Sequence, residues 1–179
     1  MPYTPLILEG VNVATSYSLN SLTSLEVPRP PFLPGTQVIT ADGSMFVFCQ
    51  IGTTGATIVV GDVVVITQDN TWVCVGGTDT TIKTFIGRPL GVAAVGSVVS
   101  TATVVNYIWV QRAGFAANVN VVTGSTANTL VRSSASSGRI TTTAAVGVSA
   151  QITGLVANAT AAANLANCFL NFPAASTAD

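Results

Sequence analysis

The chain has 179 residues, with six Lys or Arg, seven Asp or Glu and no His, so 7% are charged where a globular domain usually carries about a quarter. Acid–base chemistry has almost nothing to work with, and six scattered cations leave no electrostatic footprint for nucleic acid or an anionic membrane. A folded monomer of 18.1 kDa exposes roughly 8,000 Å², so either Thr, Ser, Asn and Gln keep that surface wet, or copies of the chain and a larger partner cover much of it.

Residues 1–34 read differently from the rest. Val27-Pro28-Arg29-Pro30-Pro31-Phe32-Leu33-Pro34 places four prolines in eight positions, which imposes extended, polyproline-like backbone and forbids a central strand. The earlier segment, Leu6-Ile7-Leu8-Glu9-Gly10-Val11-Asn12-Val13, is too apolar for a disordered tail. The expectation is an extended arm ordered by packing, with a β domain over 35–179.

From Thr36 onward the pattern is β. Met45 to Ile51, Val63 to Thr67, Thr71 to Val75 and Ile82 to Ile86 are short runs rich in β-branched and aromatic residues. Gly91 to Val99 predicts a strand whose glycines mark a bulge or a close backbone approach. Val104 to Arg112 has the strongest strand pattern, with Tyr107, Trp109 and Gln111 on one face and Ile108 and Val110 on the other. Asn118 to Thr123, Thr129 to Ser133, Arg139 to Thr143, Gln151 to Ala157 and Asn167 to Phe172 complete about ten strands. Asn158 to Ala166 has the composition for a helical turn or two. Strands at this spacing, without intervening helices, predict an all-β fold, a single β-sandwich or β-barrel-like domain.

Few residues could carry chemistry. A serine triad lacks its base, and Lys83, the only lysine, sits in no Ser-x-x-Lys spacing. Asp42, Asp62, Asp69 and Asp79 each neighbour Gly, Asn or Thr, as turn formers do. Gly52-Thr53-Thr54-Gly55 and Gly76-Gly77 read as hairpin turns. Cys49, Cys74 and Cys168 are widely spaced and odd in number, which suits small buried hydrophobes in a reducing cytoplasm better than a disulfide framework or a zinc site. The apolar runs fall well short of the ~20 residues of a spanning helix, and the aromatic residues are too few to girdle a membrane barrel. No basic residue precedes the first apolar ones, as a secretory signal would require. The sequence therefore predicts no enzyme, no cofactor, no metal site and no nucleic-acid or membrane partner.

Four segments share a wording in order: Ala41-Asp42-Gly43-Ser44-Met45-Phe46-Val47-Phe48-Cys49-Gln50, Val60-Gly61-Asp62-Val63-Val64, Gly91-Val92-Ala93 and Ile108-Trp109-Val110-Gln111-Arg112-Ala113-Gly114. Over roughly 36–172 the chain resembles the capsid decoration, or cement, proteins of tailed-phage heads; the proline-containing arm lies outside that pattern. The resemblance implies a viral structural protein, a homo-oligomer and most simply a trimer. Made in the host cytoplasm, it would bind the major capsid protein on the outer surface of the virion head and lock the expanded lattice. Leu6, Ile7, Leu8, Val11, Pro30, Pro31 and Phe32 of the arm are the expected contacts. Tyr107, Trp109 and Arg112 join them as the residue mix of interface centres. A tail, head–tail or fibre component, a carbohydrate-binding β module and a small β-barrel enzyme are the competing readings, in that order.

Overall fold

Runs of Val, Ile, Phe and Thr broken by Gly, Asp and Asn become strands because branched and aromatic side chains pack well on a pleated, half-buried surface. The computed structural model describes residues 11–20, 30–53, 57–67, 71–97, 99–101, 103–122, 125–127, 130–134, 138–142, 150–158 and 164–176. Its elements begin with β1 (Tyr17–Asn20), β2 (Gln37–Ile39), β3 (Met45–Ile51), β4 (Val63–Ile66), β5 (Val73–Gly76), a short helix α1 (Asp79–Thr84) and β6 (Leu90–Ala93). They continue with β7 (Val104–Asn120), β8 (Leu130–Ser133), β9 (Ile140–Thr141), β10 (Gln151–Ala157) and β11 (Leu165–Ala175). The fold is all-β.

Five strands close on themselves. The pairings run β3–β5–β4–β6–β7 and return from β7 to β3, with only β3–β5 parallel. Closure leaves no free edge among these five, and alternate positions fill the interior: Val47 and Cys49 of β3, Val64 and Ile66 of β4, Ile108 and Val110 of β7. Such a barrel is narrow enough for its own side chains to fill.

β7 is 17 residues long and passes out of this barrel into a second group of strands. Its distal half pairs with β11, followed by β10, β8 and β9, and a parallel bridge between Val121 and Ile140 brings β9 back to the chain just beyond β7. The core of this group, with Val119, Val131, Ile152 and Leu170, is continuous with the outer side of the barrel at Val63, Val65, Leu90 and Val92. At the passage Gly114 has φ +95°, and a Cβ there would stand 2.5 Å from the Ser44 Oγ and 2.8 Å from its Cα. Only glycine meets both demands.

The remaining outer side of the barrel carries the alternation expected for β7. Tyr107 and Trp109 lie beside Phe46 and Phe48, opposite to Ile108 and Val110. The rings of Phe48 and Tyr107 stack at 5.5 Å, and Phe32 meets Phe48 edge-on at 5.6 Å and Trp109 at 5.2 Å. Part of the arm covers this cluster. β1 pairs antiparallel with β7, from Tyr17 opposite Tyr107 to Asn20 opposite Val104, and Val11, Val13 and Leu19 pack against the same rings. The arm therefore includes a strand that the proline pattern concealed; positions 1–10 and 21–29 lie outside the described residues.

Three local expectations are corrected. Ile82 to Ile86, expected as a strand, falls largely within α1: the Thr78 hydroxyl accepts the Thr81 N–H at 3.1 Å and caps the helix, and Ile82 is buried in the core with Phe85 packed against it. Gly76-Gly77 forms no hairpin, because the Gly77 N–H donates to the Val63 carbonyl and the chain turns into that helix. The two strands expected at 104–112 and 118–123 are one continuous strand to Asn120. The candidate helical turn at 158–166 falls mostly outside the described residues, as does half of the turn at 52–55.

Because Phe32 seals the aromatic cluster from outside the barrel, Phe32→Ala should lower stability by about 2 kcal/mol, below the range for fully buried aromatics since the ring is only half-buried. Equilibrium urea unfolding, compared at constant m-value, measures it.

Candidate interaction surface

Strands β10 and β11 and the distal half of β7 have one face on the core and the other outward. Phe115 pairs with Phe169 across β7 and β11, and Phe169 pairs with Val156 across β11 and β10, so the three side chains form a row on the outward face. They are 45%, 56% and 47% exposed, and Leu165, further along the same side of β11, is 37% exposed. The inward neighbours Cys168, Leu170 and Leu155 are buried. β11 thus carries apolar side chains on both faces, although only one of them meets the core.

The polar residues around the row are Asn167, Asn171, Thr153 and Asn158, all half-buried or exposed. Strands β10 and β11 contain no charged residue. The one charge on β7 is Arg112, whose guanidinium lies 5.7 Å from the centre of the Phe172 ring. Its Nε is buried with no hydrogen-bond partner among the described residues. Burial pulls its pKa below the ordinary value; Arg stays charged at working pH.

The interface residues expected from sequence do not gather on this face. Trp109 is fully buried and Tyr107 nearly so, and both face the aromatic cluster under the arm. Neither ring is presented to a partner in this conformation. Val11 and Phe32 pack on that same cluster, Pro30 is half-buried and Pro31 exposed. Leu6, Ile7 and Leu8 lie outside the described residues. Phe115, Val156, Leu165 and Phe169 were not singled out by sequence reasoning. The available signal was Phe169 between Cys168 and Leu170, an apolar residue where a one-sided strand should alternate to polar.

Two acidic residues, Asp42 and Asp62, hold turns. The exposed Asp42 carboxylate accepts from the hydroxyls of Thr40 and Ser44, first Thr40 and then Ser44 holding its pKa below the ordinary 3.8. Asp62 is buried and ties three segments together. Its carboxylate accepts the Val59 N–H and the Asn120 side-chain amide, each at 2.8 Å. Gly138 packs so closely that a Cβ there would stand 2.1 Å from the Asp62 Cγ. Desolvation pushes the Asp62 pKa above 3.8, against those hydrogen bonds and the field of Arg139.

All three cysteines are free and buried. Cys49 and Cys74 sit in the barrel interior, where burial first, and the neighbouring Cys74 next, push the Cys49 thiol well above its ordinary value. Burial raises Cys168 to about 12. Among the described residues, no three His, Cys, Asp or Glu side chains gather into a group able to hold a metal.

An open cleft of about 420 Å³ between α1 and β5 is lined by Val73, Val75, Phe85 and several threonines, without a charged side chain. Thr78 and Thr81 turn their hydroxyls to each other at 2.8 Å. The chain matches no protein-family model, and no curated protein matches it at a significant level.

Two outcomes follow from the buried groups. A thiol reagent should find almost no reactive cysteine at neutral pH and all three after denaturation. Asp62, with its folded pKa raised, binds its proton more tightly in the native state. Its contribution to stability is full below pH 3.8 and is lost as pH rises through the raised value. Thermal unfolding of Asp62→Asn should show less loss than wild type over that rise; an equal loss in both would place the titration elsewhere.

Proposed function

We propose that this chain is a structural protein of a virus particle, a decoration or cement protein that attaches to the outer surface of a tailed-phage head and braces the lattice of the major capsid protein. The observation that carries the reading is the uncharged apolar row Phe115–Phe169–Val156 on a chain with only six basic and seven acidic residues. A protein that works by adhesion needs such a surface, whereas turnover needs titratable groups converging on a cleft.

The segments that carry the resemblance also support it. They map to the turn before β3 and β3 itself, the turn before β4 with its first residues, β6, and the middle of β7. These are four of the five strands of one closed barrel, so the similarity follows a structural unit. On this reading the barrel is a rigid body and the outward faces are adhesive. Repetition over a lattice multiplies a modest contact into avidity without further chemistry.

Imaging of intact particles tests the proposal. Density for this chain on the outer head surface supports it, density on tail or fibre favours the other virion reading, and particles without the chain overturn both. Attachment should also change by less than about tenfold between low and moderate salt, because few charges are available to screen. A steep loss, measured by co-sedimentation with particles, would indicate a charged contact.

A further inference from the structure

We infer that the outward face of β7–β11–β10 seats a second copy of this chain, face to face about a two-fold axis near Phe169. The inference deepens the adhesive reading above and rests on it in one respect, that the chain self-associates.

The first argument is electrostatic. Identical faces that carry net charge repel when they meet, and this one has none on β10 or β11. A charge-free face is therefore self-complementary. The second argument is the polar chemistry around the row. Asn167 and Asn171 each offer both a donor and an acceptor, so a residue can bond to its own copy across a two-fold axis. A rim of lysine or aspartate could not.

The third argument is area. From their fractional exposures, Phe115, Val156, Leu165 and Phe169 present roughly 350 Å² per chain, within the size of the largest apolar patch on a typical monomer. Paired with a second copy they form an apolar centre of ~700 Å², and the Asn and Thr rim brings the total toward the ~1,200 Å² of a stable interface. Two aligned sheet faces of this kind pack about 10 Å apart, as in a sandwich. The contact also closes. An isologous pair hides both faces at once, whereas a head-to-tail contact leaves one face open at each end or must close into a ring. The trimer expected from the resemblance needs this face to meet a different surface, and so is the rival arrangement.

The test uses the full chain in sedimentation equilibrium at micromolar to tens-of-micromolar concentration. Wild type should show an even-numbered mass, and Phe169→Asp should weaken association at least about tenfold with an unchanged far-ultraviolet spectrum. Val156→Lys, on the neighbouring strand, is an independent variant should the first fail to fold. Phe169→Cys should form a disulfide with its own copy under mild oxidation, the native thiols being buried. A wild type of single-chain mass overturns the inference, as does a trimer indifferent to both charged variants. Variants that still associate but lose particle binding also overturn it, by assigning the face to the capsid lattice. Variants that become single chains support it whether or not they bind particles. Failure of the wild-type dimer to bind any particle counts against the proposed function alone.

Discussion

Everything in this structure hangs on one strand. β7 is hydrogen-bonded to β3 on one edge and successively to β1, β6 and β11 on the other. A strand of 17 residues is far longer than the usual five or six, and its length lets one chain segment serve two cores. The switch between them requires the backbone to change which side faces in. Irregular register supplies this, at Met45/Phe46 opposite the middle of β7 and at Ala166/Cys168 opposite its end, together with the positive φ of Gly114 and Asn118. The Gln111 side chain holds the first switch, donating to the carbonyls of Ala113 and Phe115.

With so few charges, uncharged polar groups take over the tasks that charges often perform. Buried Asn106 accepts the Ser18 hydroxyl, donates its side-chain amide to Val99 and gives its backbone N–H to Ser100. The Ser100 hydroxyl in turn donates to the Ile51 carbonyl, so β1, β3 and β7 meet at one end of the barrel through neutral bonds. Asp62 does the corresponding work for the Val59–Asp62 turn and the end of β7, and is the costlier device, because its carboxylate must be desolvated. An Asn at such a node has both donors and acceptors to satisfy; a carboxylate facing two N–H donors has only acceptors, which is what this site presents.

The same economy of charge gives the molecule its surface character. Thr53, Thr71, Thr101 and Thr126 are exposed in described loops, and where the outward face of β7–β11–β10 becomes apolar β10 and β11 bear no charge. Exposed apolar sheet without charged gatekeepers is ordinarily a hazard for a protein that remains alone. Its presence is coherent with a molecule whose working state is assembled, which is why the adhesive reading and the two-fold contact are argued from the same strands.

The all-β class was legible because β-branched runs recur between turn residues, and the two faces of β7 because Tyr107, Ile108, Trp109 and Val110 alternate as a pleated strand must. The paucity of acid–base groups was likewise a property of composition. Pairing was not legible: nothing local tells β3 that its partners are β5 and β7, since hydrogen bonds between strands distant in sequence carry no residue code. Nor could periodicity distinguish a ring of aromatics exposed to a partner from one covered by the arm. Tyr107 and Trp109 have the composition of an interface, and only the return of β1 and Phe32 onto them makes them core. Conversely, Phe169 reads as one more apolar residue in an apolar strand. Its exposure depends on how many layers the chain can stack, and among the described residues none forms a second layer over that face.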